Sequence, residues 1–167
     1  FLLFLFPLCQ IYSQTINIID LNNEYSGKTE RKVYPSGEEK DGVYKEIVFF
    51  DALGMIKKLE FFHTKEHSNK GGTSKKIGYF DGRNRKTKVE FFRTKEYSDT
   101  YGITKEIQYF DASNKKTKIE FLTTKEYSEK FGLTKYTEYF DTSDRKTKIE
   151  YFTTKEYSDK NDITRKI

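Results

Sequence analysis

The sequence predicts an all-β fold: a repetitive antiparallel β-meander of stacked hairpins, drawn out as an elongated single sheet or a curled solenoid-like array. Three observations carry that prediction. Nearly the same words recur every 30 residues, in YFDGRNRKTKVEFF from Tyr79, YFDASNKKTKIEFL from Tyr109 and YFDTSDRKTKIEYF from Tyr139. Within each copy, β-branched and aromatic residues alternate with polar ones at a period of two, the mark of a half-buried strand. Finally, 15 Phe and 13 Tyr stand in a chain that is only 35% hydrophobic, which supplies packing surface without bulk for a thick core.

The N-terminus reads FLLFLFPLCQIYSQ, an unbroken apolar run from Phe1 to Leu8 with Ser13 beyond it. Residues 1–13 resemble the hydrophobic stretch and cleavage end of a secretory signal peptide that has lost its Met and basic start. The run is shorter than the roughly 20 residues that a membrane span needs, so no transmembrane segment is expected in the mature chain. Cys9 is the single cysteine, and cleavage beyond it leaves a chain with no disulfide. Residues 14–28 form a polar lead-in.

The repeat domain is expected over residues 29–167. Residues 29–42 read as a worn half-copy, and four copies start at Phe49, Tyr79, Tyr109 and Tyr139. The last stops at Ile167, mid-repeat, where a further strand would begin. Each copy holds two strand patterns. Ile103, Lys105, Ile107 and Tyr109 share one face, and after a turn Thr117, Ile119 and Phe121 are expected to share it too.

The short turn is the most specific local signal. It runs from Asp51 to Gly54, Asp81 to Asn84, Asp111 to Asn114 and Asp141 to Asp144. Asp favours the first position of a type I turn, and Gly, Asn or Asp tolerate the positive φ of a following left-handed residue. Together they predict a three-residue hairpin loop with Asp111 opposite Lys115. Continued without interruption, that register sets Tyr109 against Thr117, Ile107 against Ile119 and Lys105 against Phe121. The second connection, TKEYSDTYG and its equivalents, is expected as a longer loop ending at Gly72, Gly102, Gly132 or Asp162. No sustained 3.6-residue period points to helix.

Little in the chain points to catalysis. His63 and His67 are four apart, as zinc ligands are on a helix, but Arg93 and Tyr97, Thr123 and Tyr127, and Thr153 and Tyr157 replace them in other copies. The loop from Asp159 to Asp162 lacks the Gly and late Glu of a calcium loop. Glu90, Glu120 and Glu150 stand a full repeat apart, so they form a column rather than a catalytic pair. No enzyme activity, metal or cofactor is expected. The remaining candidate site is a ladder of Lys86, Lys88, Lys116, Lys118, Lys146 and Lys148, interleaved with Phe80, Phe110 and Phe140. If these lysines share one face, they fit a polyanion. The net charge of +5 is spread thinly, without a basic block, which disfavours nucleic acid.

The unit G-x-T-K-x-x-x-Y-F-D-x-x-x-x-K-T-K-[IV]-E-F resembles bacterial MORN-type repeats, including those of YwqK-type antitoxin proteins. Its YFD-x-x-[GN] turn is similar to the YD repeats of Rhs-type surface proteins. The resemblance spans Gly42 to Ile167, in copies longer and poorer in Gly than MORN units. It implies stacked hairpins and, through the YwqK-type relatives, toxin neutralisation. The expectation drawn from all of this is a bacterial, secreted, periplasmic or cell-surface protein that binds a protein or glycan partner along its sheet. Self-association through the aromatic face is a further expectation. An antitoxin or immunity-type role and polyanion binding are the alternatives. A cytoplasmic location follows if the apolar run is not a signal peptide.

Overall fold

The computed structural model of the protein describes residues 13–16 and 27–160. They form one antiparallel sheet of ten strands in which sequence order is spatial order from first to last. The strands are β1 (Ser13–Ile16), β2 (Thr29–Val33), β3 (Val43–Phe50), β4 (Ile56–His63), β5 (Thr73–Phe80), β6 (Lys86–Arg93), β7 (Ile103–Phe110), β8 (Lys116–Thr123), β9 (Leu133–Phe140) and β10 (Lys146–Thr153). This is the expected meander. β1 pairs with β2 and crosses the boundary drawn at residue 13. The apolar run before it lies outside the described residues, as does the loop end at Asp162.

The short turns form as expected. The Asp111 amide donates to the Lys115 carbonyl at 2.9 Å, and the Asn114 amide to the Asp111 carbonyl at 3.0 Å. Asn84, Asn114 and Asp144 have φ near +60°, at 58°, 60° and 58°. Asp111 Oδ1 also accepts the amides of Ser113 and Lys115, so the first residue organises the loop as well as opening it.

Two expectations fail. The longer connections are not loops: each begins with a short helix, α1 (Lys65–Gly71), α2 (Lys95–Tyr101), α3 (Lys125–Phe131) or α4 (Lys155–Lys160). Thr94 caps α2 by accepting the Tyr97 amide at 3.2 Å, and Gly102 ends it at φ 70°. Seven residues are too few to stand alone in water, and too few to show a hydrophobic period. The signal lay in the ends, a capping Thr and a left-handed Gly eight positions later.

The second failure is the register. Phe110 does face Lys116, but Tyr109 then faces Lys118, Ile107 faces Glu120 and Gln108 faces Ile119. Thr117 is an extra residue, a bulge, and it shifts every later pair by one. Thr87 and Thr147 occupy the same place in their hairpins. Each of these threonines donates its hydroxyl to the carbonyl of the Tyr across the ladder, Thr117 to Tyr109 at 3.3 Å. A second bulge lies at the far end of each hairpin, at Ser74, Thr104 and Thr134, whose hydroxyls donate to the carbonyls of Phe92, Leu122 and Phe152. A bulge reverses which residues share a face. The stripe expected from Ile107, Tyr109, Ile119 and Phe121 therefore divides between the two sides of the sheet.

One sheet layer gives a thin core. The buried hydrophobic residues among those described are Val43, Val48, Ile77, Val89, Ile107 and Ile119. Ile77 and Ile107 lie on one side, which we call the front. Val48, Val89 and Ile119 lie on the back. No helix among the described residues is long and apolar enough to cross a membrane.

Candidate binding faces

The register arranges the front into three rows that cross the strands. The middle row alternates Ile47, Glu60, Ile77, Glu90, Ile107, Glu120, Thr137 and Glu150. The row toward the short turns alternates Phe49, Lys58, Tyr79, Lys88, Tyr109, Lys118, Tyr139 and Lys148. The row toward the helices alternates Lys45, Phe62, Lys75, Phe92, Lys105, Leu122, Lys135 and Phe152. Each Glu of β4, β6 and β8 thus sits between a Lys on its own strand and a Lys on the next.

The distances bear this out. Glu90 meets Lys88 at 2.9 Å and Lys105 at 2.8 Å; Glu60 meets Lys58 at 3.2 Å and Lys75 at 2.9 Å. Glu120 meets Lys118 at 2.9 Å and Lys135 at 3.7 Å, and also accepts the Tyr109 hydroxyl at 2.9 Å. The lysine ammoniums rest against rings: Lys88 on Tyr79 at 3.9 Å, Lys118 on Tyr109 at 4.0 Å and Lys105 on Phe92 at 4.6 Å. Lys stems covering apolar surface explain how Ile77 and Ile107 are buried with no second layer above them among the described residues.

The electrostatics follow. Burial pushes Glu60, Glu90 and Glu120 upward, but hydrogen bonds and attraction from the flanking lysines outweigh it and hold all three below the ordinary carboxylate value. Burial, reinforced by donation to Glu120, pushes the Tyr109 phenol up to about 12. The carboxylates are thus charged and engaged at neutral pH.

The back is less uniform. Its central row runs Glu46, Phe61, Lys76, Phe91, Glu106, Phe121, Tyr136 and Tyr151. The even-numbered strands repeat an aromatic ring there, whereas β5, β7 and β9 carry Lys76, Glu106 and Tyr136. Beside these stand Gly78, Gln108 and Glu138. The front diverges less: Lys75, Lys105 and Lys135 match, as do Tyr79, Tyr109 and Tyr139, and exceptions such as Thr137 for Ile and Leu122 for Phe change no charge. Among the paired rows, changes of charge between copies therefore collect on the back. Arg93 pairs with Glu106 and lies over the Tyr97 ring of α2 at 4.6 Å, which ties the helix end to this face. Phe121 and Tyr136 stack with centroids 4.5 Å apart.

The six lysines expected to form one ladder divide. Lys88, Lys118 and Lys148 belong to the front. Lys86, Lys116 and Lys146 face Phe80, Phe110 and Phe140 on the back, with Lys86 over the Phe110 ring at 4.0 Å and Lys116 over that of Phe140 at 4.2 Å. The front partners of the first set are Lys75, Lys105 and Lys135, which sequence reasoning missed. Their signal was a Lys two residues before the repeated Ile or Thr, visible only once the bulges are placed. The turn residues Asp51, Gly54, Asp81, Asn84, Asp111, Asn114, Asp141 and Asp144 line one edge and act on the backbone.

His63 and His67 stack at 4.7 Å with planes 15° apart, a packing arrangement rather than converging ligands. No group of three or more metal-ligating side chains occurs among the described residues. No protein-family model matches the chain, and no curated protein matches it.

Proposed function

We propose that this is a non-catalytic, secreted or cell-envelope repeat protein that binds a protein or glycan partner along its sheet. The observation that supports the reading is the placement of the differences between copies. A repeated frame requires only that neighbouring hairpins fit; the front meets that requirement with the same charges each time, and the turns with Asp first and Gly, Asn or Asp fourth. The back changes charge and shape from copy to copy at Lys76, Glu106 and Tyr136 and at Gly78, Gln108 and Glu138, between half-buried rings of Phe61, Phe91 and Phe121. Aromatic rings set among varied polar groups suit recognition of one extended partner.

The test has two arms. Fractionating the producing cells should find the chain, without its apolar N-terminal run, in the medium or the envelope. A photo-crosslinking residue at Gln108 should trap one partner from that fraction, and the same residue at the bulge position Thr117 should not. An uncleaved, cytoplasmic product, or identical trapping at both positions, would sink the reading.

A further inference from the structure

We infer that the front face is a second, separate binding surface, made for an extended acidic polysaccharide that carries about one carboxylate per disaccharide. The inference does not depend on what the back binds.

Charge is the first argument. In each repeat the front presents two lysines and one glutamate: Lys58 and Lys75 about Glu60, Lys88 and Lys105 about Glu90, Lys118 and Lys135 about Glu120. One lysine charge per repeat is left uncompensated by the column of acids. Lys45, Lys148 and Glu150 continue the pattern at either side. The surplus recurs every second strand, a pitch of about 10 Å across the sheet.

That pitch selects the ligand. Double-stranded DNA carries a charge about every 1.7 Å along its axis, and one strand about every 3.4 Å, far denser than the surplus here. A polysaccharide with one uronate in every two sugar rings spaces its charges on the scale of the repeat. The rings of Tyr79, Tyr109 and Tyr139 and of Phe62, Phe92 and Phe152 each lie against one of these ammoniums and help to hold it in place.

Preorganisation is the second argument. The lysines do not wave freely in solvent. Lys75 touches Glu60 and lies 4.7 Å from the Phe62 ring centroid; Lys135 lies 4.2 Å from that of Phe152. They nevertheless keep part of each side chain in water, 30% for Lys88, 28% for Lys135 and 42% for Lys148. Fixed but accessible ammoniums lose little side-chain entropy when an anion docks.

Immobilised hyaluronan, whose disaccharide carries one carboxylate, is the probe, with dextran as the neutral control and a single-stranded oligonucleotide as the dense polyanion. The expected result is salt-sensitive binding to hyaluronan, none to dextran, and weaker binding to the oligonucleotide at equal ionic strength. Combining Lys75→Gln, Lys105→Gln and Lys135→Gln should weaken hyaluronan binding about tenfold or more, because each change removes one ammonium–carboxylate attraction. Combining Lys86→Gln, Lys116→Gln and Lys146→Gln on the back should change it less than about twofold, since those lysines do not face the ligand. Equal losses from the two triples, tighter binding to the oligonucleotide, or no binding to hyaluronan at low salt would each overturn the inference. If the front triple does not fold, amine labelling of the unaltered protein decides. Hyaluronan should shield Lys75, Lys105 and Lys135 and leave Lys86, Lys116 and Lys146 reactive; the reverse pattern is incompatible with a front site. Failure here with the Gln108 crosslink intact would leave the back-face reading standing, and the converse holds equally.

Discussion

The ring of Tyr127 lies against the backbone of Gly102, so that a side-chain carbon added there would stand 2.6 Å from Cγ and 2.7 Å from Cε2. Gly102 is the left-handed residue that ends α2, and Tyr127 belongs to α3, one repeat later. The Thr124 amide donates to the Gly102 carbonyl at 2.8 Å, which fixes the same junction from the other side. Tyr97 on Gly72 and Tyr157 on Gly132 repeat the arrangement. Neighbouring repeats are thus coupled through their helices as well as through the ladder.

Gly102→Ala should therefore be costly. The position needs φ 70°, worth about 1–2 kcal/mol for a residue with a Cβ, and the new methyl must displace a ring, worth about 1–3 kcal/mol more. Gly82, whose added carbon meets nothing within 4 Å, is the control and should tolerate Ala. Urea unfolding of both variants checks this. Equal midpoints would show that the ring contact carries no stability.

Thr137 breaks the isoleucine series of the front. It is 1% exposed, and its Oγ1 has no hydrogen-bond partner among the described residues, whereas Ile77 and Ile107 fill the equivalent places. Thr137→Ile should stabilise the protein by about 1–3 kcal/mol, by removing an unsatisfied hydroxyl and adding buried hydrocarbon. Thermal unfolding measures it, and a lower melting temperature would mean that the site has no room for the extra carbon.

These positions also show how far the sequence could be read. The meander, the 30-residue unit and the Asp-to-Asn turns were legible, because turn chemistry and period-two alternation are local and repeat four times. The faces were not. Thr117 looks like any strand threonine, and only its place after the loop makes it a bulge. Missing it by one residue sent Ile119 to the front and kept Lys116 beside Lys118. The helices hid for a related reason: seven residues cannot display a period, and Tyr97, whose ring stands on the Gly72 that ends the preceding helix, carries its meaning only in three dimensions. The candidate faces depended on that register, so their residues were named before their geometry could be.

His63 should set the acid side of the stability profile first. Burial lowers its proton affinity below the ordinary value of 6.5, and the neighbouring His67 and Lys76 lower it further, against a hydrogen bond with the Gly42 backbone. The unfolded chain then binds the proton more readily than the folded one. Stability is fully present above pH 6.5 and is lost as pH falls toward the folded value. Glu60, Glu90 and Glu120 act in the same direction, but only below their ordinary value of 4.5. Melting temperature should thus fall between pH 6.5 and 5, and His63→Gln should flatten that portion while leaving the steeper loss below pH 4.5. An unchanged slope between pH 6.5 and 5 would place the titration elsewhere.

Lys76 offers the complementary test on the back. It stands between Phe61 and Phe91, with its ammonium 6.0 and 5.6 Å from their centroids, and burial followed by repulsion from Lys86 lowers its proton affinity. Its charge therefore opposes folding at neutral pH. Two repeats later the same position is Tyr136, stacked on Phe121 at 14° between planes. Lys76→Tyr should reproduce that stack against Phe61 or Phe91 and remove the penalised charge, for a gain of about 1 kcal/mol from the ring pair alone. It should also remove one of the influences on His63, so the pH 5–6.5 loss should shrink in this variant. A rise in the urea midpoint together with a shallower acid slope supports both assignments. A fall in the midpoint would show that the Phe61 and Phe91 rings are set too closely about the Lys stem to admit a third.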